Sequence, residues 1–263
     1  MTELITHSGT FHADDVLCAA LARKIFGSVE ITRTFNVPEN LDGDVIVVDI
    51  GGGKYDHHQL DAAVRRDGKK RAACGLLFED YWDEIFPTIE SAVAFERDFI
   101  IPIEDQDNGV SQNPLSMAIS AFNPEWDSKK NADDCFLEAV DFMSIILEKQ
   151  IARAISKARA VSLVEEAYEA SGDKRLVVLP KFAPWQGVLV EKETIYVVFP
   201  ALRGGYNLRA VPVIEEGFVM KQPLPESWLQ EKPTGCTFVH ANRFIAAFNT
   251  EEAAIEAAKS LLS

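Results

Sequence analysis

Val45–Ile50 is an apolar run broken only by Asp49, and Gly51-Gly52-Gly53 closes it. Apolar side chains at successive strand positions need cover on both faces, the mark of a parallel sheet sandwiched by helices. The run reads as a central strand of such a sheet. A lone carboxylate in an apolar strand is costly unless something cationic pairs with it. Residue 49 therefore points to a bound cation at the end of the strand.

The flanking segments agree. Glu3–Thr6 reads as a short strand delivering His7 at its end. Asp14 and Asp15 open a helix with Val16, Leu17, Ala20, Leu21 and Ile25 as apolar positions and Gly27 as its stop. Val29–Phe35 is a second strand. Strand–helix–strand alternation with short links implies an α/β layer. Open sheets of this kind form their crevices at the carboxyl edge.

Further on, residues 72–86 and 88–104 read as helices, the second carrying Ile89, Val93, Phe99 and Ile100. Asp105–Pro114 is polar, with a turn at Asn108-Gly109. A long helix is predicted over 133–171. Its stripe is Phe136, Val140, Met143, Leu147, Ile151, Ala154, Ala158 and Val161, in steps of three and four. After Gly172, strand-like runs occur at Leu176–Leu179, Thr194–Phe199, Asn207–Val211, Thr237–His240 and Phe244–Phe248. Thr250 caps a last helix to Leu262, with Glu251 and Glu252 in its first turn. The expected organisation is an α/β domain over 1–132, a connecting helix over 133–171 and a smaller α+β domain over 172–263.

Composition narrows the class. Four widely spaced cysteines without a C-x-x-C pair argue against a zinc knuckle or redox dithiol, and for free thiols in a reducing compartment. No apolar run approaches the roughly 18–20 residues of a membrane span, and Met1–His12 has no secretory signal pattern. A cytoplasmic protein without a membrane span is expected. The net charge is −15, yet residues 172–263 hold ten Lys/Arg and ten Asp/Glu, so residues 1–171 carry the excess. Such a chain has no global attraction for nucleic acid, and a polyanionic substrate must be drawn locally.

Four of the five histidines fall within the first 58 residues, each close to carboxylates. His7 follows the first strand, and His12 and Asp14 lie in the next turn. Asp49 ends the third strand, Asp56-His57-His58 follows the glycine loop, and Glu104–Gly109 offers a further carboxylate. Singly, each has a plain structural reading: Asp15 as a helix cap, Asp-Asn-Gly as a turn. Together they supply the imidazole and carboxylate ligands of hard-to-borderline divalent metals. Hydrolysis of a phosphate ester uses such metals to activate water and neutralise the phosphoryl oxygens. A two-metal site needs a bridging carboxylate, and Asp49 is the candidate.

Asp56-His57-His58, preceded by Asp49 and by a His-x-x-x-x-His-x-Asp turn, resembles the DHH phosphoesterase superfamily. Four stretches resemble its MYG family. They are Thr6–Asp15, Val47–Gly52 running on to Tyr55–Gln59, Asp107-Asn108-Gly109, and Gly235–His240 followed by Phe244-Ile245. The likeness extends over essentially the whole chain, including Pro223–Trp228. It implies a DHH-type N-terminal domain with a parallel sheet. It implies two ions, Mn²⁺ with Mg²⁺ as the alternative, held by His7, His12, Asp14, Asp49, His57 and Asp107. Asp56 and His58 would complete the catalytic group, Asp56 supporting the site and His58 contacting the scissile phosphate or orienting a ligand. The superfamily's commoner first motif has Asp where His12 stands, and Glu104 and Asp105 remain alternatives to Asp107.

In the superfamily the second domain closes over the metals with basic and glycine-rich contacts. The counterparts here are Arg203-Gly204-Gly205, Arg209, His240 and Arg243. Glycines admit backbone N–H groups to a phosphate and arginines bind it in bidentate fashion, although Arg-Gly-Gly alone reads as a hairpin turn. Arg71 ends the one dense basic run, Arg65–Arg71, just before a helix start near Ala72, a place suited to recruiting phosphate. Trp126, Trp185, Trp228, Phe182 and Tyr206 are aromatic enough to stack bases. The resemblance implies a metal-dependent 3′–5′ exonuclease acting on RNA or short oligonucleotides; a homodimer is an open option that the sequence leaves undecided. Its rivals are a small-molecule phosphoesterase acting on pyrophosphate, a cyclic dinucleotide or a nucleotide, and an inactive metal-binding regulatory module.

Overall fold

In the computed structural model, which describes residues 1–263, β1 (Thr2–His7) pairs in parallel on both sides. Its neighbours are β2 (Val29–Thr34) and β3 (Val45–Val47), giving the order β2-β1-β3. The apolar run thus lies at an edge, not at the centre. Apolar content reports burial rather than sheet order: Ile46 and Val48 are buried, while Val45 and Val47 are half-buried.

Helix α1 (Ala13–Phe26) is buried continuously from Ala13 to Ala22, so it lies inside the layer rather than on its surface. It packs on α2 (Ala73–Ile85). Residues 89–107 form one helical stretch: α3 (Ile89–Phe95), a π turn (Glu96–Ile100) and α4 (Ile101–Asp107). Pro102 follows the π turn at once. Proline cannot donate the usual backbone bond, and a wider turn accommodates the gap. Asp105–Asp107 therefore belong to the last turn of α4, not to a polar loop. An unexpected helix, α5 (Pro114–Ser120), follows, with the Asn113 side chain capping Ser116 N at 3.0 Å.

The chain divides into two compact units, Met1–Ile155 and Ser156–Ser263, and the boundary falls inside α6 (Ala132–Ala170). The stripe from Phe136 to Ala154 is buried in the first unit's core. Beyond it the buried face is Ala160 and Val164, which pack with Val177 and Trp185, while Ala158 and Val161 are only half-buried. The apolar period slips where one core gives way to the next.

The second unit is a five-stranded sheet, β4-β5-β6-β8-β7. Its strands are β4 (Leu176–Val178), β5 (Tyr196–Pro200), β6 (Tyr206–Ala210), β7 (Cys236–Val239) and β8 (Ile245–Phe248). Only β4 and β5 run parallel. A short helix α7 (Gln186–Leu189) and a 3₁₀ turn (Glu226–Leu229) interrupt the strands, and α8 (Glu251–Leu262) packs on the sheet. No helix is long and apolar enough to cross a membrane.

Candidate metal centre

Asp49 sits just past β3 with φ 57°, its N–H donating to Tyr55 O at 2.8 Å. Asp and Asn are among the few residues that tolerate this left-handed conformation. The carboxylate is 4% exposed and faces two ways. Oδ2 is 3.4 Å from His7 Nε2, at the end of β1. Oδ1 is 3.1 Å from His57 Nε2 and 3.6 Å from His58 Nδ1.

Asp107 approaches the same nitrogen, with Oδ2 3.2 Å from His57 Nε2, and Asp14 Oδ2 lies at 3.8 Å. Two groups of potential ligand atoms result, Asp14–His57–Asp107 and Asp49–His57–His58, the atoms of each lying within 4.8 Å of one another. His12 stands beside His7, ring centroids 5.9 Å apart. Asp49, His57 and Asp107 therefore converge with His7, His12 and Asp14 at the sheet's carboxyl edge, as the sequence pattern anticipates.

Asp15 is more than a cap. Its Oδ1 does accept His12 N at 2.8 Å. Its Oδ2, fully buried, points at His7 Nε2 from 3.2 Å. Asp15 Oδ2, Asp49 Oδ1 and His57 Nε2 make no well-directed hydrogen bond, although each lies 3.1–3.2 Å from a potential partner in the cluster. Buried polar atoms are ordinarily paired. Three ligand atoms of N and O type so placed around one acidic cluster fit a divalent cation such as Mn²⁺ or Mg²⁺.

Electrostatics point the same way. Hydrogen bonding to Asp49 holds His7 up at about 9 against the pull of burial. Burial lowers His57, but Asp107 and Asp49 outweigh it and raise the imidazole to about 10. Burial pushes Asp49 up, yet contact with His57 and His7 brings it down to about 2. Burial lifts Asp15 to about 7, and burial with the charges of Asp49 and Asp107 lifts Asp14 well above the carboxylate range.

Asp56 braces the loop. Its Oδ2 accepts Gly52 N at 2.7 Å, and its Oδ1 accepts His58 N at 3.1 Å and contacts His58 Nδ1 at 2.8 Å. The His58 side chain is 65% exposed. With His7, Asp49, Lys70 and Asn108, it lines a cavity of about 530 Å³.

Glu104 and Asp105, the alternatives to Asp107, are engaged elsewhere. Glu104 is fully buried against Arg65 Nη1 at 2.8 Å and accepts Ala72 N at 3.0 Å. Asp105 pairs with Arg65 Nη2 and, at 3.0 Å, with Lys69. Gly75 leaves room for Glu104: a Cβ there would lie 1.8 Å from Oε1.

The basic run needs a correction. Arg65, Lys69 and Arg71 are taken up by carboxylates, Arg71 by Glu96 at 2.6 Å and Glu79 at 3.4 Å. The start of α2 is not open to phosphate either. Glu104 accepts Ala72 N there, and Asp14 accepts Ala73 N at 3.0 Å and Cys74 N at 2.8 Å. Lys70, not Arg71, lines the cavity. The sequence cannot show which cations of a run face carboxylates from a helix about 35 residues away.

In the second unit, Arg203, Gly204, Gly205 and Arg209 line one cleft of about 830 Å³ with Phe182. Gly204 and Gly205 form the β5–β6 hairpin turn, and a Cβ on Gly205 would meet Phe248 O at 2.2 Å. Arg209 stacks over Trp185 and Phe244 at 5.5 and 5.6 Å, its Nε is buried without a partner, and burial lowers its pKa. His240 and Arg243 belong to the β7–β8 turn. His240 packs 4.4 Å from Phe244, and Arg243 has φ 58°. Trp185 and Trp228 are core residues, whereas Trp126 and Phe182 are exposed and Tyr206 is half-buried.

A family model, MYG1_exonuc, described as an uncharacterised protein family (UPF0160), matches residues 3–262. The chain belongs to the MYG1 family. A MYG1 protein of Schizosaccharomyces pombe is 28% identical over 319 residues, covering 100% of this chain and 98% of its own. The proteins named MYG1 exonuclease in Homo sapiens and Mus musculus are each 28% identical over 320 residues. Both alignments cover 98% of this chain, with 85% of the human and 84% of the mouse protein.

Proposed function

We propose that this chain is a cytoplasmic, metal-dependent phosphodiesterase that trims RNA or short oligonucleotides from the 3′ end. The observation carrying this reading is the Asp49 carboxylate, set between His7 and His57 with one oxygen toward each. That is the disposition of a carboxylate shared by two ions. His7 and His12 would hold one ion with Asp49, and Asp14, His57 and Asp107 would hold the other. The exonuclease name borne by the mammalian relatives supports a nucleic-acid substrate. Four unpaired cysteines suit a reducing compartment.

The bound pair would supply charge neutralisation at the phosphoryl oxygens and acidify the attacking water. Every other part belongs to the chain. Asp56 keeps a proton on His58 Nδ1 and so fixes how the other ring nitrogen meets the phosphate. Lys70 brings a positive charge to the cavity, and the Asn108 amide ties that stretch to α4 by donating to Lys70 O and Glu104 O. The deciding experiment is digestion of end-labelled RNA and DNA oligomers with Mn²⁺, resolving product length over time. Stepwise shortening from the 3′ end is expected with RNA. Cleavage confined to nucleotides or pyrophosphate would replace this reading with a small-molecule phosphoesterase, and no cleavage would leave a metal-binding module.

Loading with cation should release protons. Without a cation, His7 and His57 titrate near 9 and 10, so both are charged at pH 7. Metal ligation needs the neutral ring. Mn²⁺ binding at pH 7 is therefore expected to expel protons, and affinity is expected to rise as pH climbs toward 9–10. The two imidazoliums stabilise the metal-free fold fully below their unfolded value near 6.5. That contribution is lost as pH rises through about 9 and 10. Calorimetry in buffers of different ionisation enthalpy measures the release; a heat independent of buffer contradicts it.

A further inference from the structure

Beyond the cavity beside Lys70, the first unit holds a second one of about 490 Å³. Both are lined by His12 and Asp107, so these two side chains stand between them. The far walls differ. One carries His58, Lys70 and Asn108. The other is built from α5 and the end of α4: Ile103, Gln106, Ser116, Met117 and Ser120.

The second cavity has no lysine or arginine, and its only ionisable side chains are His12, Asp14 and Asp107. With those three side chains engaged by the ions, the rest of its wall carries no charge and suits an uncharged group. Ser116 is one of the lining residues; it is 7% exposed, and its enclosed Oγ has no hydrogen-bond partner, so a small rotation would bring it to a ligand. A buried hydroxyl left unpaired in the wall of a cavity is a hydrogen-bonding position awaiting a partner. Gln106 Oε1 is taken by Asn113 N at 2.7 Å, which leaves its amide N–H groups to donate. Ile103 and Met117 add apolar surface. A few polar groups set in apolar wall, within the roughly 300–1,000 Å³ of small-molecule sites, is the make-up of a specific ligand pocket.

Resting on the phosphodiesterase reading, we infer that this cavity receives the nucleoside of the bond being cleaved. The substrate straddles His12 and Asp107, its phosphate on the His58–Lys70 side and its sugar and base on the Ser116 side. The ribose hydroxyls and base edge pair with Ser116, Ser120 and Gln106, and Met117 and Ile103 cover the ring.

The test compares inorganic phosphate with adenosine 5′-monophosphate on the Mn²⁺-loaded full chain by calorimetry, with diester hydrolysis run in parallel. The nucleotide is expected to bind at least about tenfold more tightly than phosphate. Ser116→Ala removes only the hydroxyl, and Ser120→Leu obstructs the cavity from an exposed position that does not threaten the fold. Each is expected to erase most of that advantage while leaving the phosphate affinity unchanged. If the nucleotide binds no tighter than phosphate, or if both variants keep the full difference, the subsite is wrong, and continued diester cleavage shows the phosphodiesterase reading surviving without it. If neither ligand binds and no diester is cut, both readings fall.

Discussion

Asp49→Asn is expected to abolish Mn²⁺ binding and to lower diester cleavage by at least about 10²–10³-fold, the scale of losing one preorganised charge-stabilising group. One carboxylate, 4% exposed, stands between two imidazoles that hold protons at about 9 and 10 while it lies near 2. Asparagine is the informative replacement because it keeps the shape and, like aspartate, tolerates φ 57°. Alanine would add backbone strain to the loss of charge. Circular dichroism should show an intact fold, and calorimetry should show no saturable Mn²⁺ heat. Unchanged turnover together with unchanged Mn²⁺ affinity would refute the assignment of this residue.

Arg65→Met is expected to be the most destabilising substitution near the site. The Arg65 side chain is 4% exposed and pairs with Glu104, which is wholly buried. Burial raises the Glu104 carboxyl, and Arg65 offsets part of that rise. Removing one partner of a buried pair leaves an uncompensated charge, at a cost of roughly 3–5 kcal/mol. For a chain of this size that lowers Tm by about 10 °C. Because Arg65 also holds Asp105, two residues before Asp107, Mn²⁺ affinity should fall with it. The double variant Arg65→Met with Glu104→Gln removes both charges and should recover most of the stability. A single variant that melts with the native chain would show that the pair holds nothing in place.

Much of this architecture is legible from local pattern. β1, α1 and β2 follow from apolar periodicity and Gly27, and α8 from the Thr250 cap, whose side chain accepts Ala253 N. The gathering of histidines and aspartates is legible because strand ends and the turns after them deliver side chains to one edge. Strand order was not, since both an edge and a central strand can be apolar, and β3 proved to be at the edge. Helix α5 goes unread just past the polar stretch Asp105–Pro114, although Asn113-Pro114 is the start signal of a helix, a capping residue followed by proline at the first turn. Asp15 carried its signal too, three residues after His12, but a cap explained it fully and hid its second oxygen. The Arg65–Glu104 pair joins residues 39 apart and has no trace in either local sequence.

The internal pairing of Arg65, Lys69 and Arg71 bears on how a polyanion would be sensed. Cations already neutralised by the protein's own carboxylates project little field into solvent and displace few condensed counterions from a nucleic acid. With a net charge of −15, the surface offers no long-range funnel. Recognition must then begin at contact, within a Debye length of about 8 Å at physiological ionic strength, and depend little on background salt.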